Sequence, residues 1–416
     1  MQLKTSLYVD YTRSCQDKLR DKDVPLQEFD QPIPQTNLNI VEKIRSNPFV
    51  WRGQFSPQLI EVLLKAYCLP NSIILDPFAG SGTVLLEAGH LGLEAYGFEI
   101  NPAAFILSRT YELINCPQKK EVIKIVREKI DTEFHFILFA NNSPVENIAE
   151  KLRKIRNVLD PKAVKLFETL VILLDVANNT ITNEFIQAKF TELVNVTEIL
   201  PYSEKLIRVC LSDARSLPLP DKTIDFVVTS PPYINVFNYH QNYRKSAEIL
   251  GWDILKIAKS EMGSNRANRS NRFYTVVQYC LDMADTFKEL SRVTKDDARI
   301  IFVIGHESNV LGVPFYNADI IEKIAVKTGL FRTVLRQNRE FKNKFGKMIR
   351  EDILNFCKLN YKDNEETIEK IAREVAFDVL TSRLLNVSSK NLANLEDAID
   401  KVQEIDRTLI LDNISC

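Results

Sequence analysis

The sequence predicts an α/β protein built on an open, mostly parallel sheet, and three observations carry that reading. A strand, turn, helix, strand and helix follow one another over residues 73–113. An apolar strand at 224–229 ends in a proline-stiffened turn. Two late strand segments, 331–335 and 352–356, follow a long helical pattern and have the spacing of an antiparallel hairpin.

Each element has its own signal. Residues 1–40 are polar, end in Gln31-Pro32-Ile33-Pro34-Gln35 and read as an arm. Ser56-Pro57 opens a helix over 56–67, with Ser56 as N-cap and Pro57 at the first position. A strand at 73–75, a turn at 76–83, a helix at 84–91, a strand at 93–98 and a helix at 102–113 make a βαβ unit. Residues 117–204 break this rhythm with helical patterns at 145–159 and 163–176, a helical insertion placed to serve target recognition or dimerisation. Strands resume at 206–211 and 224–229, followed by a helix at 274–293 and a strand at 299–304. The chain then divides into an arm (1–40), one catalytic domain (41–116 with 205–360), the insertion (117–204), and a helical, polar C-terminal segment (361–416).

Composition narrows the function. At 416 residues, 45% hydrophobic and 26% charged, the chain is that of a globular protein able to bury a sizeable core. Its apolar stretches are strand-sized, far short of the ~20 residues that span a bilayer, and the start lacks a secretory run, so no membrane partner and a cytoplasmic location are expected. Seven scattered cysteines without CxxC spacing suggest reduced thiols and no metal. A net charge of -1 gives no global attraction to nucleic acid, so any such contact must come from local basic patches. Residues 331–350 form one, with Arg332, Arg336, Arg339, Lys342, Lys344, Lys347 and Arg350 against the single acid Glu340; a solvated face is the plain alternative.

The string Leu75-Asp76-Pro77-Phe78-Ala79-Gly80-Ser81-Gly82-Thr83 sits between a strand and a helix, where open α/β sheets bind ligands. Gly80 and Gly82 permit a tight turn, and the helix behind it presents free N–H groups. The turn has no P-loop Lys, and Asp76 would repel a phosphate but attract an ammonium group. Glu99, in Gly97-Phe98-Glu99-Ile100-Asn101, ends the second strand and suits two ribose hydroxyls.

DPFAGSGT followed by GFEINP resembles the cofactor motifs of the amino-methylating (N4-cytosine or N6-adenine) S-adenosylmethionine-dependent DNA methyltransferases. The resemblance covers roughly residues 45–115 and 205–360. It implies a Rossmann-like class I methyltransferase fold, a mostly parallel seven-stranded sheet with an antiparallel last strand. It implies S-adenosylmethionine as cofactor, held by Asp76, Pro77, Phe78, Ala79, Gly80, Gly82, Thr83, Glu99 and Ile100. Asp213, beside Ala214, corresponds to the family's acid that reads the adenine amino group. Phe55 and Ser56 fall in the segment that holds the methionine end, although core packing and helix capping explain them equally well.

Ser230-Pro231-Pro232-Tyr233 follows the fourth strand and resembles the family's catalytic loop. An exocyclic amine is a poor nucleophile because its lone pair is delocalised into the ring. The Ser230 hydroxyl and the Pro231 carbonyl would accept the two amino hydrogens, and Tyr233 would stack on an extruded base. In this family a leading Ser is commonest in N4-cytosine enzymes and Asp or Asn in N6-adenine enzymes, which favours cytosine here. C5 methylation needs a Pro-Cys nucleophile, whereas Cys116 precedes Pro117. RNA guanine-N2 methyltransferases share the turn and a Pro-Pro-Tyr loop, usually led by Asp and preceded by an RNA-binding domain.

Double-stranded DNA is therefore the expected partner. Its candidate contacts are Asn238, Tyr239 and Arg244 after the loop, Arg266 and Arg269 in an amide-rich stretch, and Arg336, Arg339, Lys342 and Lys344 in the basic segment. His240 and His306 are paired with no acid in the sequence pattern and receive no catalytic role. A cognate restriction endonuclease is the expected companion, and the protein is expected to be a monomer or homodimer.

Overall fold

The computed structural model describes residues 31–134, 143–234, 238–263, 270–343, 346–359 and 365–411. Seven strands form one sheet: β1 (Ile73–Asp76), β2 (Glu94–Glu99), β3 (Ile207–Leu211), β4 (Ile224–Thr229), β5 (Thr294–Gly305), β8 (Phe331–Lys342) and β9 (Met348–Lys358). Between β5 and β8 lie a two-stranded hairpin, β6 (Glu307–Val310) with β7 (Val313–Tyr316), and the helix Asn317–Lys327, which periodicity alone did not single out.

The sheet order is β3-β2-β1-β4-β5-β9-β8. Neighbours from β3 to β5 pair in parallel, and only β9 runs against the rest. The expected class of fold is thus observed, with the reversed strand last in sequence and second from the sheet edge. The strand order reverses between β2 and β4, on either side of β1, which opens a crevice at the carboxyl ends of these strands.

Near-continuous apolar strands are covered on both faces. Alternate residues feed two cores: Ile74, Phe226, Val228, Ile301 and Val303 enter one, and Leu75, Val227, Ile300, Phe302 and Ile304 the other. The first core also takes the insertion helices Lys119–Phe134, Ile148–Arg156, Pro161–Leu174 and Asn183–Ile199. They continue the layer begun by the helix Pro102–Arg109, where Thr110 and Thr169 hydroxyls lie 2.6 Å apart and Arg109 pairs with Glu168.

The C-terminal segment differs from the polar reading. Glu365–Thr381 and Ser389–Asp400 are helices that bury Ile368, Ala372, Val375, Ala376, Leu380, Leu395 and Ala398 in the second core. The apolar stripe is narrow enough to be diluted in a composition-level reading. Cys210 on β3 is disulfide-bonded, which corrects the expectation of reduced thiols throughout; spacing along the chain reports nothing about such bonds. Cys68, Cys116 and Cys280 are buried thiols. Among the described residues no helix is long and apolar enough to cross a membrane.

Candidate active site

An open-mouthed cavity with about 870 Å³ of empty space, part of it open to solvent, occupies the crevice. Its walls come from the ends of four strands and from the segment ahead of the helix Pro57–Tyr67. Pro77–Ser81 and Thr83 follow β1, Glu99–Asn101 end β2, Ser212–Ala214 follow β3, and Ser230 and Pro232 follow β4.

The glycine turn is fixed by backbone bonds. Ala79 N–H donates to Phe98 O at 2.8 Å, and Gly82 N–H donates to Ala79 O at 2.8 Å. Gly80 and Gly82 have φ of 53° and 87°, a conformation that L side chains rarely adopt. At Gly82 a Cβ would also fall 2.8 Å from both Ser108 Cβ and the Tyr111 ring, so no side chain fits where the turn presses on the next helix.

Glu99 closes the turn from β2. Its Oε2 accepts from Gly80 N–H and its Oε1 from Asn101 N–H, each at 2.8 Å. Burial pushes its carboxyl up to about 7, against the pull of these backbone donors. Asp76 does not line the cavity. It lies beneath the turn, 1% exposed, where its Oδ1 accepts from Thr229 Oγ1 at 2.6 Å and from Phe78 N–H at 3.2 Å. Burial raises its carboxyl to about 7 as well.

The segment before the helix Pro57–Tyr67 forms another wall, with Trp51, Arg52, Gly53, Gln54 and Phe55. Gln54 Nε2 donates to Ser81 Oγ, Thr83 Oγ1 donates to Asn47 Oδ1 at 2.8 Å, and Asn47 Nδ2 donates to Phe55 O at 2.7 Å. Phe55 therefore reaches the cavity. Ser56 is outside the lining, and although it stands at the N-cap its hydroxyl makes no capping bond.

Asp213 lines the cavity, but Arg215 holds both of its oxygens. Arg215 Nε donates to Oδ1 at 2.9 Å and an NH2 nitrogen to Oδ2 at 2.6 Å, while Leu411 N–H also donates to Oδ2. Arg215 further donates to Asp282 and Thr408, so the C-terminal stretch is tied to the cavity floor.

In the loop after β4, Ser230 Oγ lies 3.0 Å from Tyr233 Oη. The Tyr233 ring packs against Gly305, where a Cβ would meet it at 2.9 Å, and stands outside the cavity lining. Burial pushes its phenol up to about 12. Tyr239, expected at the DNA, lies instead in the cavity wall, stacked on Trp51 with ring centroids 6.3 Å apart.

The remaining DNA candidates divide. Arg266, Arg269 and Lys344 lie outside the described residues. Asn238 and Lys342 are exposed, and Arg244 pairs with Glu248 at 2.6 Å. Arg336 and Arg339 depart from expectation: Arg336 pairs with Asp319 and Glu322, and Arg339 is 4% exposed, bonded to Glu351 at 2.7 Å and placed over the Phe341 ring. Alternation along β8 turns Arg339 inward, a consequence that a charge count does not reveal. The histidines are likewise corrected: His240 Nδ1 lies 2.8 Å from Glu261 and His306 Nδ1 2.7 Å from Asp352, pairs made by residues 21 and 46 positions apart.

Sequence reasoning missed Ser260, Glu261 and Met262 in the lining, since they follow no motif. Trp51, one of only two tryptophans, was the available signal for the aromatic wall.

The lining sets Glu99, Asp213 and Glu261 against the single base Arg52. Such a wall repels a polyphosphate and fits a ligand carrying sulfonium and ammonium charge, a nucleoside and a flat base beside Trp51 and Tyr239. The residues present thus fit S-adenosylmethionine. Among the described residues no group of acids, histidines and cysteines has metal-binding geometry.

Residues 6–109 match a family model described as DNA methylase, a span that holds the glycine turn and Glu99 but not Ser230–Tyr233. The Type II methyltransferase M.BsoBI of Geobacillus stearothermophilus is 26% identical over 271 residues, 50% of this chain and 53% of the relative. The Type II methyltransferase M.MvaI of Kocuria varians is 22% identical over 329 residues, 58% of this chain and 72% of the relative. The chain thus spans about half the length of the first of these relatives. A solved S-adenosylmethionine-dependent methyltransferase from Methanosarcina mazei is 12% identical, covers 71% of this chain and 97% of its own, and superposes with a TM-score of 0.34. The family match and the Type II relatives support an amino-methyltransferase family, and that family implies S-adenosylmethionine as cofactor.

Proposed function

We propose that the chain is a site-specific DNA methyltransferase that transfers a methyl group from S-adenosylmethionine to the N4 exocyclic amino group of cytosine, as the modifying half of a restriction or defence pair. The observation that carries this reading is the meeting of two motifs in one cavity. Ser230 and Pro232 line the same space as Gly80 and Glu99, although about 150 residues of chain separate them. The bound cofactor supplies an electrophilic methyl group on a sulfonium.

The chain's own residues do the rest. Glu99, oriented by Gly80 and Asn101 N–H groups, receives the ribose hydroxyls, and the 51–55 wall with the glycine turn holds the methionine end. Ser230 Oγ and the Pro231 carbonyl accept the amino hydrogens of a flipped base, turning the nitrogen lone pair toward the methyl group for direct in-line attack. The N–C bond would form as the methyl–sulfur bond breaks, leaving S-adenosylhomocysteine as a neutral thioether, and the surplus amino proton would pass to water. Because Tyr233 Oη already touches Ser230 Oγ, base entry would exchange that contact for the amino group and free the ring to stack. Prolines at 231 and 232 limit how far the acceptors drift meanwhile.

Adenine N6 is the second reading, since the same acceptor pair fits either amine and only Ser in place of Asp or Asn favours cytosine. Incubation with S-adenosylmethionine and plasmid DNA, followed by digestion and separation of nucleosides, tests the proposal. N4-methyldeoxycytidine supports it. N6-methyldeoxyadenosine selects the second reading, and tRNA methylation without DNA methylation overturns both.

A further inference from the structure

Glu261 has an arrangement that the proposed chemistry leaves unused. It is 6% exposed, lines the cofactor cavity and belongs to no motif. One oxygen, Oε2, lies 2.8 Å from His240 Nδ1, itself buried at 3% exposure. The other, Oε1, is buried without a hydrogen-bond partner. A buried carboxylate oxygen left unpaired is destabilising, so its retention calls for a donor that arrives with a ligand.

The cavity offers few rivals for that donor. Asp213, the acid expected to accept from the adenine amino group, has both oxygens held by Arg215 and the Leu411 N–H. Asp76 is beneath the floor, bonded to Thr229. Glu99, oriented by the Gly80 and Asn101 N–H groups, is already committed to the ribose hydroxyls in the reading above. Among the described acids of the wall, Glu261 alone presents an oxygen with no protein donor. It shares the cavity wall with Glu99, the acid given to the ribose in the reading above, and with Tyr239, the ring stacked on Trp51.

We propose that Glu261, oriented by His240, is a cofactor-binding residue that accepts a hydrogen bond from the nucleoside part of S-adenosylmethionine. The proposal rests on the cofactor reading above. His240 is its positioning residue. Engaging Oε2, it leaves Oε1 as the oxygen turned to the ligand.

Equilibrium binding of S-adenosylhomocysteine and of 5′-methylthioadenosine, which lacks the amino-acid end, tests this on the full chain. Glu261→Met removes the acceptor at similar volume, and Glu261→Gln keeps an acceptor oxygen. Glu261→Met is expected to weaken both nucleosides roughly 10- to 100-fold, the size of a hydrogen bond to a charged group, while Glu261→Gln recovers most of the loss. His240→Phe is expected to weaken both several-fold, because it loosens the carboxylate that His240 positions.

Glu261→Met binding 5′-methylthioadenosine as tightly as the natural protein overturns the proposal, whether or not S-adenosylhomocysteine binding falls. Should Glu261→Met fail to fold, His240→Phe decides by the same measurement, and unchanged affinity in it overturns the proposal. If the natural protein binds neither nucleoside, the cofactor reading itself fails, an outcome distinct from unchanged variants.

Discussion

Asp76 at the end of β1 accepts a hydrogen bond from the Thr229 hydroxyl at the end of β4, at 2.6 Å and out of contact with solvent. This bond joins the glycine turn to the residue directly ahead of Ser230. Methyl donor and methyl acceptor must meet within about 3–3.5 Å for in-line transfer. A bond between the two strand ends keeps that separation from drifting.

The same bond has a pH signature. Burial raises the Asp76 carboxyl from 3.8 to about 7, so the folded state binds its proton more tightly than the unfolded chain does. Its contribution to stability is fully present below about pH 4 and is lost as pH rises through 7. Asp76→Asn, which cannot ionise but keeps an acceptor for Thr229, is expected to remove that loss. Measured by urea denaturation, the stability of the natural protein relative to Asp76→Asn should fall by on the order of a few kcal/mol between pH 4 and 8. A constant difference would place the titration elsewhere.

Gly82 and Gly80 should respond differently to alanine. At Gly82 the new methyl meets the buried Ser108 and Tyr111 side chains at 2.8 Å, whereas at Gly80 it meets only the Trp51 ring at 3.6 Å. Positive φ costs each about 1 kcal/mol, and overpacking adds roughly 1–3 kcal/mol at Gly82 alone. Thermal unfolding should therefore rank Gly82→Ala well below Gly80→Ala. Equal Tm values would contradict the packing argument.

Arg215 is the keystone of a buried network with Asp213, Asp282 and Thr408. Arg215→Met would leave two carboxylates buried near each other without their cation. Loss of one partner from such a group costs roughly 3–5 kcal/mol. Denaturant midpoints give the value, and a change below about 1 kcal/mol would mean that solvent reaches the site.

Ser230 and Tyr233 should separate binding from chemistry. Ser230→Ala is expected to lower kcat about 100-fold by removing one acceptor of the amino hydrogens. Tyr233→Ala is expected to lower turnover strongly while cofactor affinity stays nearly unchanged, since its ring stands outside the cavity lining. Equal loss of binding and turnover in Tyr233→Ala would make the loop a structural brace.

Local signals in the sequence were strong where chemistry and backbone coincide. The turn 76–83, the acid at 99 and the helix Tyr274–Val293 were legible because glycines, strand ends and helical period report directly on local conformation. Pairings made by the tertiary fold were not. Nothing in the local pattern says that Arg215 will occupy Asp213, that Arg339 will turn inward on β8, or that His240 will find Glu261. Tyr239 shows the same limit, since an aromatic after the catalytic loop suits a DNA base or a cofactor wall equally until Trp51 stacks on it.

The central claim is that an amino nitrogen of DNA receives the methyl group at Ser230–Tyr233. Its most direct test is transfer of labelled methyl from S-adenosylmethionine to DNA by the natural protein and by Ser230→Ala, with the product nucleoside identified. Label in N4-methyldeoxycytidine, formed about 100-fold more slowly by Ser230→Ala, is the predicted result. Label in 5-methyldeoxycytidine, or equal rates for the two proteins, would contradict it.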